Sequence, residues 1–184
     1  MEIMTTDYID HFDQFGCRYY KFQKEELAEF NAKDTDWLTN AGLPDAAVPF
    51  FFFDVYIAYL RDVSIPGMRK MLGTAFEPAS HHYLFVDSND EVFIQMEQGQ
   101  MLFVNSSVTQ LCQSILCYSQ WLEEQEKAFA TNISYEVPED CMFNLYYMLR
   151  EIDKKAFAKE ASIWPQISNA EINFLADQIT TEGS

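Results

Sequence analysis

Residues 82–107 read HYLFVDSNDEVFIQMEQGQMLFVNSS and carry the clearest signals of regular structure in this 184-residue chain. Three runs rich in β-branched and aromatic residues are separated by two short polar turns. The runs are residues 82–86, 91–96 and 101–104. This pattern predicts three antiparallel strands joined as a meander. Ser107 and Gln110 then have the spacing of a capping box, which predicts that a long helix begins directly after the sheet.

Helical patterns lie on both sides of the predicted sheet. Before it, Asp34 is placed to cap a helix that ends at Gly42, where a left-handed residue is common. After it, residues 108–122 keep a helical period, and further apolar stripes follow Pro138 and Ser168. Helices at both ends of a central antiparallel sheet predict an α+β fold.

The composition predicts one well-packed domain over residues 1–184. Hydrophobic residues make up 48% of the chain and aromatic residues 16%, which is enough for a single full core. The four cysteines lie in apolar stretches without a C-x-x-C pair, as buried thiols do in a reducing compartment. The N-terminal residues lack the features of a secretory signal, and the apolar run 48–60 is too short to cross a bilayer. We therefore expect a soluble cytoplasmic protein.

Charge is distributed unevenly along the chain. Between Lys70 and Arg150 the only basic residue is Lys127, against eleven acidic residues, so this stretch carries −10 of the net charge of −17. Nucleic acid and anionic membranes would be repelled, whereas a basic protein would be attracted and steered. An acidic surface that only maintains solubility is the alternative explanation.

Two groups of acidic residues in this stretch are predicted to bind the partner. One group lies in the predicted hairpin turn and the other near the distal end of the long helix. They are Asp87, Asp90 and Glu91, and Glu123, Glu124 and Glu126. If both groups lie on one side of the molecule, they form a continuous negative surface that raises the association rate.

The sequence shows no pattern that is typical of catalysis. It contains no G-x-S-x-G motif and no glycine-rich phosphate loop. His81 and His82 are adjacent in a predicted strand, so their side chains would point to opposite faces and not share a metal ion. The four phenylalanines of residues 50–53 fit a buried strand better than a ligand platform, although an apolar pocket there stays open. We expect no enzyme, no metal and no cofactor.

Several short motifs occur in a characteristic order. A helix containing Trp37 closes on a Gly-Leu-Pro turn, Gly73 follows, and the meander runs through Phe-Val-Asn-Ser-Ser into the long helix. Over about residues 34–172 this order resembles the SUKH superfamily of bacterial immunity proteins, in particular its fourth subfamily. The motif residues are expected to maintain the fold. They are Trp37, Gly42, Leu43, Pro44, Gly73, Asn105, Ser106, Ser107 and Trp164.

The resemblance implies a non-enzymatic α+β protein. Members of such families are encoded beside polymorphic toxins, often nucleases, and protect the producing cell by binding the toxin. The implied partner is therefore a basic toxin domain. A regulatory or adaptor module of the same fold is the alternative, because a fold alone does not determine function.

Overall fold

The computed structural model describes residues 4–47, 51–53, 65–76, 81–131 and 139–167. Helices and eight strands are present in these ranges, residues 163–167 are also helical, and together they confirm the predicted α+β fold. The helices are α1 (Thr5–Asp13), α2 (Lys24–Leu27), α3 (Ala32–Asn40), α4 (Val108–Thr131) and α5 (Glu139–Ile152), with a 3-10 turn at Lys154–Phe157. The strands are β1 (Tyr19–Tyr20), β2 (Leu43–Pro44), β3 (Ala46–Ala47), β4 (Phe51–Phe52), β5 (Met68–Ala75), β6 (Tyr83–Asp87), β7 (Val92–Gln95) and β8 (Met101–Asn105).

The main sheet contains six antiparallel strands in the order β3-β4-β5-β6-β7-β8. The predicted meander is confirmed as β6, β7 and β8. In its register Phe85 lies opposite Phe93, and Phe93 lies opposite Phe103. The sequence predicts a strand from residue 50 onward. The structure describes β4 as one part of it, and residues 54–59 lie outside the described ranges.

The long helix α4 supplies much of the core. It begins directly after Ser107, as predicted, and its apolar stripe is fully buried. The stripe consists of Val108, Leu111, Cys112, Ile115 and Leu116. Each such side chain contributes about 1.5–3 kcal/mol when it leaves water. Helices α1 and α3 pack on the same helix and bring Tyr8 to within 5.5 Å of Trp37, measured between ring centroids.

The predicted cap of α3 is wrong. Asn31 is the N-cap residue, and its side chain accepts a hydrogen bond from the backbone N–H of Asp34 at 2.9 Å. Both residue types cap helices well, but α3 begins at Ala32, so Asp34 lies in the first turn and its carboxylate faces another element. The other end of the helix is as predicted, since Gly42 has a φ of +79°.

The described cysteine side chains are free thiols. Cys112 and Cys117 are buried, whereas Cys17 is half-buried. Burial raises the pKa of Cys112 and that of Cys117 to about 12, so neither forms a thiolate at neutral pH. The helix expected after Ser168 lies outside the described residues.

Candidate partner-binding surfaces

The acids of the β6–β7 turn make contacts within the protein. The carboxylate of Asp87 accepts hydrogen bonds from the backbone N–H groups of Asn89 and Glu91, at 2.8 and 3.0 Å. Asp90, which has a φ of +67°, forms an ion pair with Arg69. These two carboxylates therefore shape and fix the turn, and they offer a partner less charge than the sequence suggests.

Glu91 is largely enclosed, with a side chain only 12% exposed. It pairs with Lys155 and with Lys159, the latter at 3.1 Å. The ammonium group of Lys159 also lies 3.7 Å from the ring centroid of Phe103, a cation–π contact, and burial lowers the pKa of Lys159. Glu91 thus holds two lysines over an aromatic part of the sheet.

The second acidic group lies on α4. Glu124 and Glu126 are exposed, and Glu123 is half-buried. Glu123 pairs with Lys127 one turn later at 2.5 Å, and this hydrogen bond lowers the pKa of Glu123. Of the six predicted acids, the three on α4 therefore have fewer cationic partners within the protein. They present more negative charge to solvent than the acids of the β6–β7 turn.

The two acidic groups lie at different ends of α4. Val92, just after the β6–β7 turn, pairs with Asn105, which lies three residues before the start of the helix at Val108. Glu123 follows Val108 by fifteen residues, which corresponds to about 22 Å along the helix axis. The two acidic groups therefore form separate regions, one near the start of α4 and the other about 22 Å along its axis.

A groove of about 290 Å³ lies beside the acids of α4. Phe12 and Phe15 line it from the end of α1, and Leu122 lines it from α4. Glu123 and Glu126 complete the same lining. The groove therefore joins an apolar surface to the predicted partner-binding carboxylates, and sequence reasoning did not identify its aromatic residues.

His11 forms part of the packing behind this groove. Its Nε2 atom lies 2.8 Å from Ser119 Oγ, and its ring meets those of Phe12 and Phe15 edge-on with centroids 5.1 and 5.2 Å apart. Burial lowers the pKa of His11, against the opposing effect of Glu123 at 3.9 Å. The imidazole is therefore neutral at pH 7 and does not offset the negative charge of the carboxylates that line the groove.

A buried polar network joins several of the motif residues. Trp164 Nε1 donates to Asn105 Oδ1 at 3.0 Å, and Asn105 Nδ2 donates to Ser114 Oγ at 3.2 Å. Ser106 donates to Asp153 through its backbone N–H at 2.6 Å and through its hydroxyl at 3.0 Å. These side chains are satisfied by one another, as a structural network requires.

The remaining motif residues lie in turns, caps and close contacts. Leu43 and Pro44 form the buried strand β2, which pairs with β1. Ser107 Oγ accepts from the Gln110 backbone N–H at 3.2 Å, and the Ser107 hydroxyl donates to Gln110 Oε1 at 3.2 Å. The Gln110 side chain therefore reaches back to the hydroxyl of Ser107, while its Nε2 donates to the carbonyl of Ile152. A Cβ atom on Gly73 would lie 2.1 Å from the Phe52 carbonyl oxygen.

Two further observations concern the described residues. None of their helices is long and apolar enough to cross a membrane. Within the same ranges, no group of three or more His, Cys, Asp or Glu side chains is arranged to hold a metal ion.

The fold is the α+β fold that the motif order implies, and the buried network joins several of the motif residues. The chain belongs to the SUKH-4 immunity protein family, whose model matches residues 14–170. The match extends over every motif residue from Trp37 to Trp164. No curated protein and no solved structure is significantly similar to the chain.

Proposed function

We propose that the protein is a cytoplasmic immunity protein that binds a cognate polymorphic toxin domain and blocks it stoichiometrically. The observation that carries this proposal is the SUKH-4 family match over residues 14–170. Binding alone is enough for such a role, so the protein needs no catalytic group of its own.

The toxin that fits best is a basic domain such as a nuclease. A nuclease binds a polyanion and therefore needs Lys and Arg in its substrate cleft. The net charge of −17, with −10 between Lys70 and Arg150, is of the opposite sign. A field of this sign accelerates encounter with a basic partner and favours it over acidic proteins.

Of the two acidic groups, the one on α4 suits docking better. Asp90 and Glu91 are paired with internal cations in the β6–β7 turn, and Asp87 holds that turn through backbone hydrogen bonds. Glu126 is exposed, and it lies beside an apolar groove that could hold an anchoring side chain. Affinity at protein interfaces comes mainly from such anchors, whereas surrounding charges set the association rate.

The proposal is tested by co-expression with the toxin domain encoded next to this gene. The C-terminal domain of an adjacent large secreted protein is expressed with and without the chain, and growth is measured. We expect the domain to be toxic alone, growth to be restored by the chain, and the two purified proteins to form a 1:1 complex. A folded chain that neither binds the domain nor restores growth would contradict the proposal. Capture of several endogenous proteins and no toxin would favour the adaptor alternative.

A further inference from the structure

We infer that the groove between α1 and α4 receives an apolar side chain from a basic segment of the toxin domain, with Phe15 as the main contact. This inference rests on the proposed function and adds the position and the chemistry of the contact. It concerns six of the residues that line the groove, namely Phe12, Phe15, Ala46, Leu122, Glu123 and Glu126.

The first argument is the exposure of Phe15. Its side chain is 56% exposed, whereas Phe12, one turn earlier, is 3% exposed and belongs to the core. An exposed aromatic beside a groove is the arrangement found at interface hot spots, where a partner covers the ring and excludes water. Cys17 and Leu122 extend the apolar surface from either side and are each half-buried.

The second argument is the charge around the groove. Glu126 lines it and has no cationic partner among the residues that the structure describes. Burial and, after it, the charges of Asp45 and Asp13 raise the pKa of the Cys17 thiol in the same lining, and Asp13 is exposed. An occupant that carries Lys or Arg next to its apolar side chain would complement these carboxylates, whereas an acidic segment would be repelled.

The third argument is size. A groove of about 290 Å³ lies at the lower limit of sites that enclose small molecules and cofactors. It is open enough for one or two side chains of a protein partner. The volume therefore favours insertion of a side chain over binding of a free ligand.

The test compares matched variants of the folded chain for binding to the toxin domain encoded next to it. Phe15→Ala removes the proposed contact, and Phe143→Ala is its control, because Phe143 on α5 is 54% exposed and does not line the groove. We expect Phe15→Ala to raise Kd about tenfold or more, mainly through faster dissociation, and Phe143→Ala to change it less than about twofold.

Two further variants test the groove without removing a side chain that packs against the protein. Ala46→Arg fills the groove from an exposed position, and Glu126→Lys reverses its charge, with Glu97→Lys as the control for net charge. We expect the first two to weaken binding and Glu97→Lys to have a small effect. Wild-type affinity in both Phe15→Ala and Ala46→Arg would overturn the proposed role of the groove in toxin binding while leaving the proposed function intact. Failure of the wild-type chain to bind would overturn both.

Discussion

Asp34 in α3 accepts two hydrogen bonds from Thr109 in α4, from the backbone N–H at 2.8 Å and from the hydroxyl at 2.7 Å. The backbone N–H of Val108 donates to the same carboxylate at 3.2 Å. A residue 75 positions earlier in the chain therefore caps the longest helix of the described fold, and its negative charge faces the positive end of that helix.

Replacing Asp34 with Ala is expected to lower the free energy of unfolding by about 2–4 kcal/mol, because the start of α4 loses its cap and buried donors are left unpaired. Urea unfolding followed by circular dichroism measures the change. Asp36→Ala, on the exposed side of the same helix, is the control and should alter stability by less than about 1 kcal/mol. Equal effects of the two substitutions would contradict this role of Asp34.

Gly73 allows β4 and β5 to approach closely, since an added Cβ would lie 2.1 Å from the Phe52 carbonyl oxygen. Gly73→Ala should destabilise the protein by about 3 kcal/mol, because the strands must separate to admit the methyl group. Gly99→Ala is the comparison, since it has a φ of +83° but open space around it, and should cost about 1 kcal/mol. Chemical denaturation of both variants decides whether close contact or backbone conformation matters more.

The stability of the protein should fall as the pH drops below about 6.5, the ordinary pKa of histidine. Burial lowers the pKa of His11 in the folded state, so the unfolded chain takes up a proton before the folded one does. The free energy of unfolding therefore decreases from pH 6.5 down to the folded pKa of His11. Thermal unfolding between pH 7.5 and 5.5 should show a flatter profile for His11→Gln. Identical slopes for variant and wild type would show that His11 does not contribute.

Reversing Glu123, Glu124 and Glu126 to Lys should slow association with the toxin domain about tenfold at an ionic strength of about 0.01 M, where charges act over about 30 Å. The difference should nearly vanish at about 1 M. Stopped-flow fluorescence measures the rates. The control reverses three exposed glutamates elsewhere, Glu25, Glu97 and Glu160, with the same change in net charge. If both triple variants associate at the same rate, the α4 acids are not the docking region.

The meander and the start of α4 could be predicted because their signals are local. Apolar runs with polar turns predict β6 to β8, and Ser107 marks the beginning of the helix. Strand β5 was not predicted, since Arg69, Lys70 and Gly73 interrupt any regular alternation. Its place in the sheet depends on pairing with β6 and β4, which a local pattern does not show.

The candidate site was only partly accessible to sequence reasoning. The acids of α4 were identified from charge alone, but the pairing of Glu91 with Lys155 joins residues 64 positions apart. The role of Asp34 was missed for the same reason, because its donors are 74 and 75 positions away. Phe15 carries a weak signal, an aromatic residue in an acidic segment, but its exposure becomes visible only when α1 packs on α4.

The last strand of the sheet, β8, has consequences for how this protein meets other chains. Phe103 donates its backbone N–H to the carbonyl of Ala161 at 2.8 Å and accepts from the Ser162 hydroxyl at 3.3 Å, while Lys155 and Lys159 lie over its ring. An uncovered strand here would template further strands and invite aggregation or domain swapping. With Phe103 occupied, a further strand cannot pair at this position. A chain that approaches here meets side chains, which can be substituted while the backbone framework stays the same.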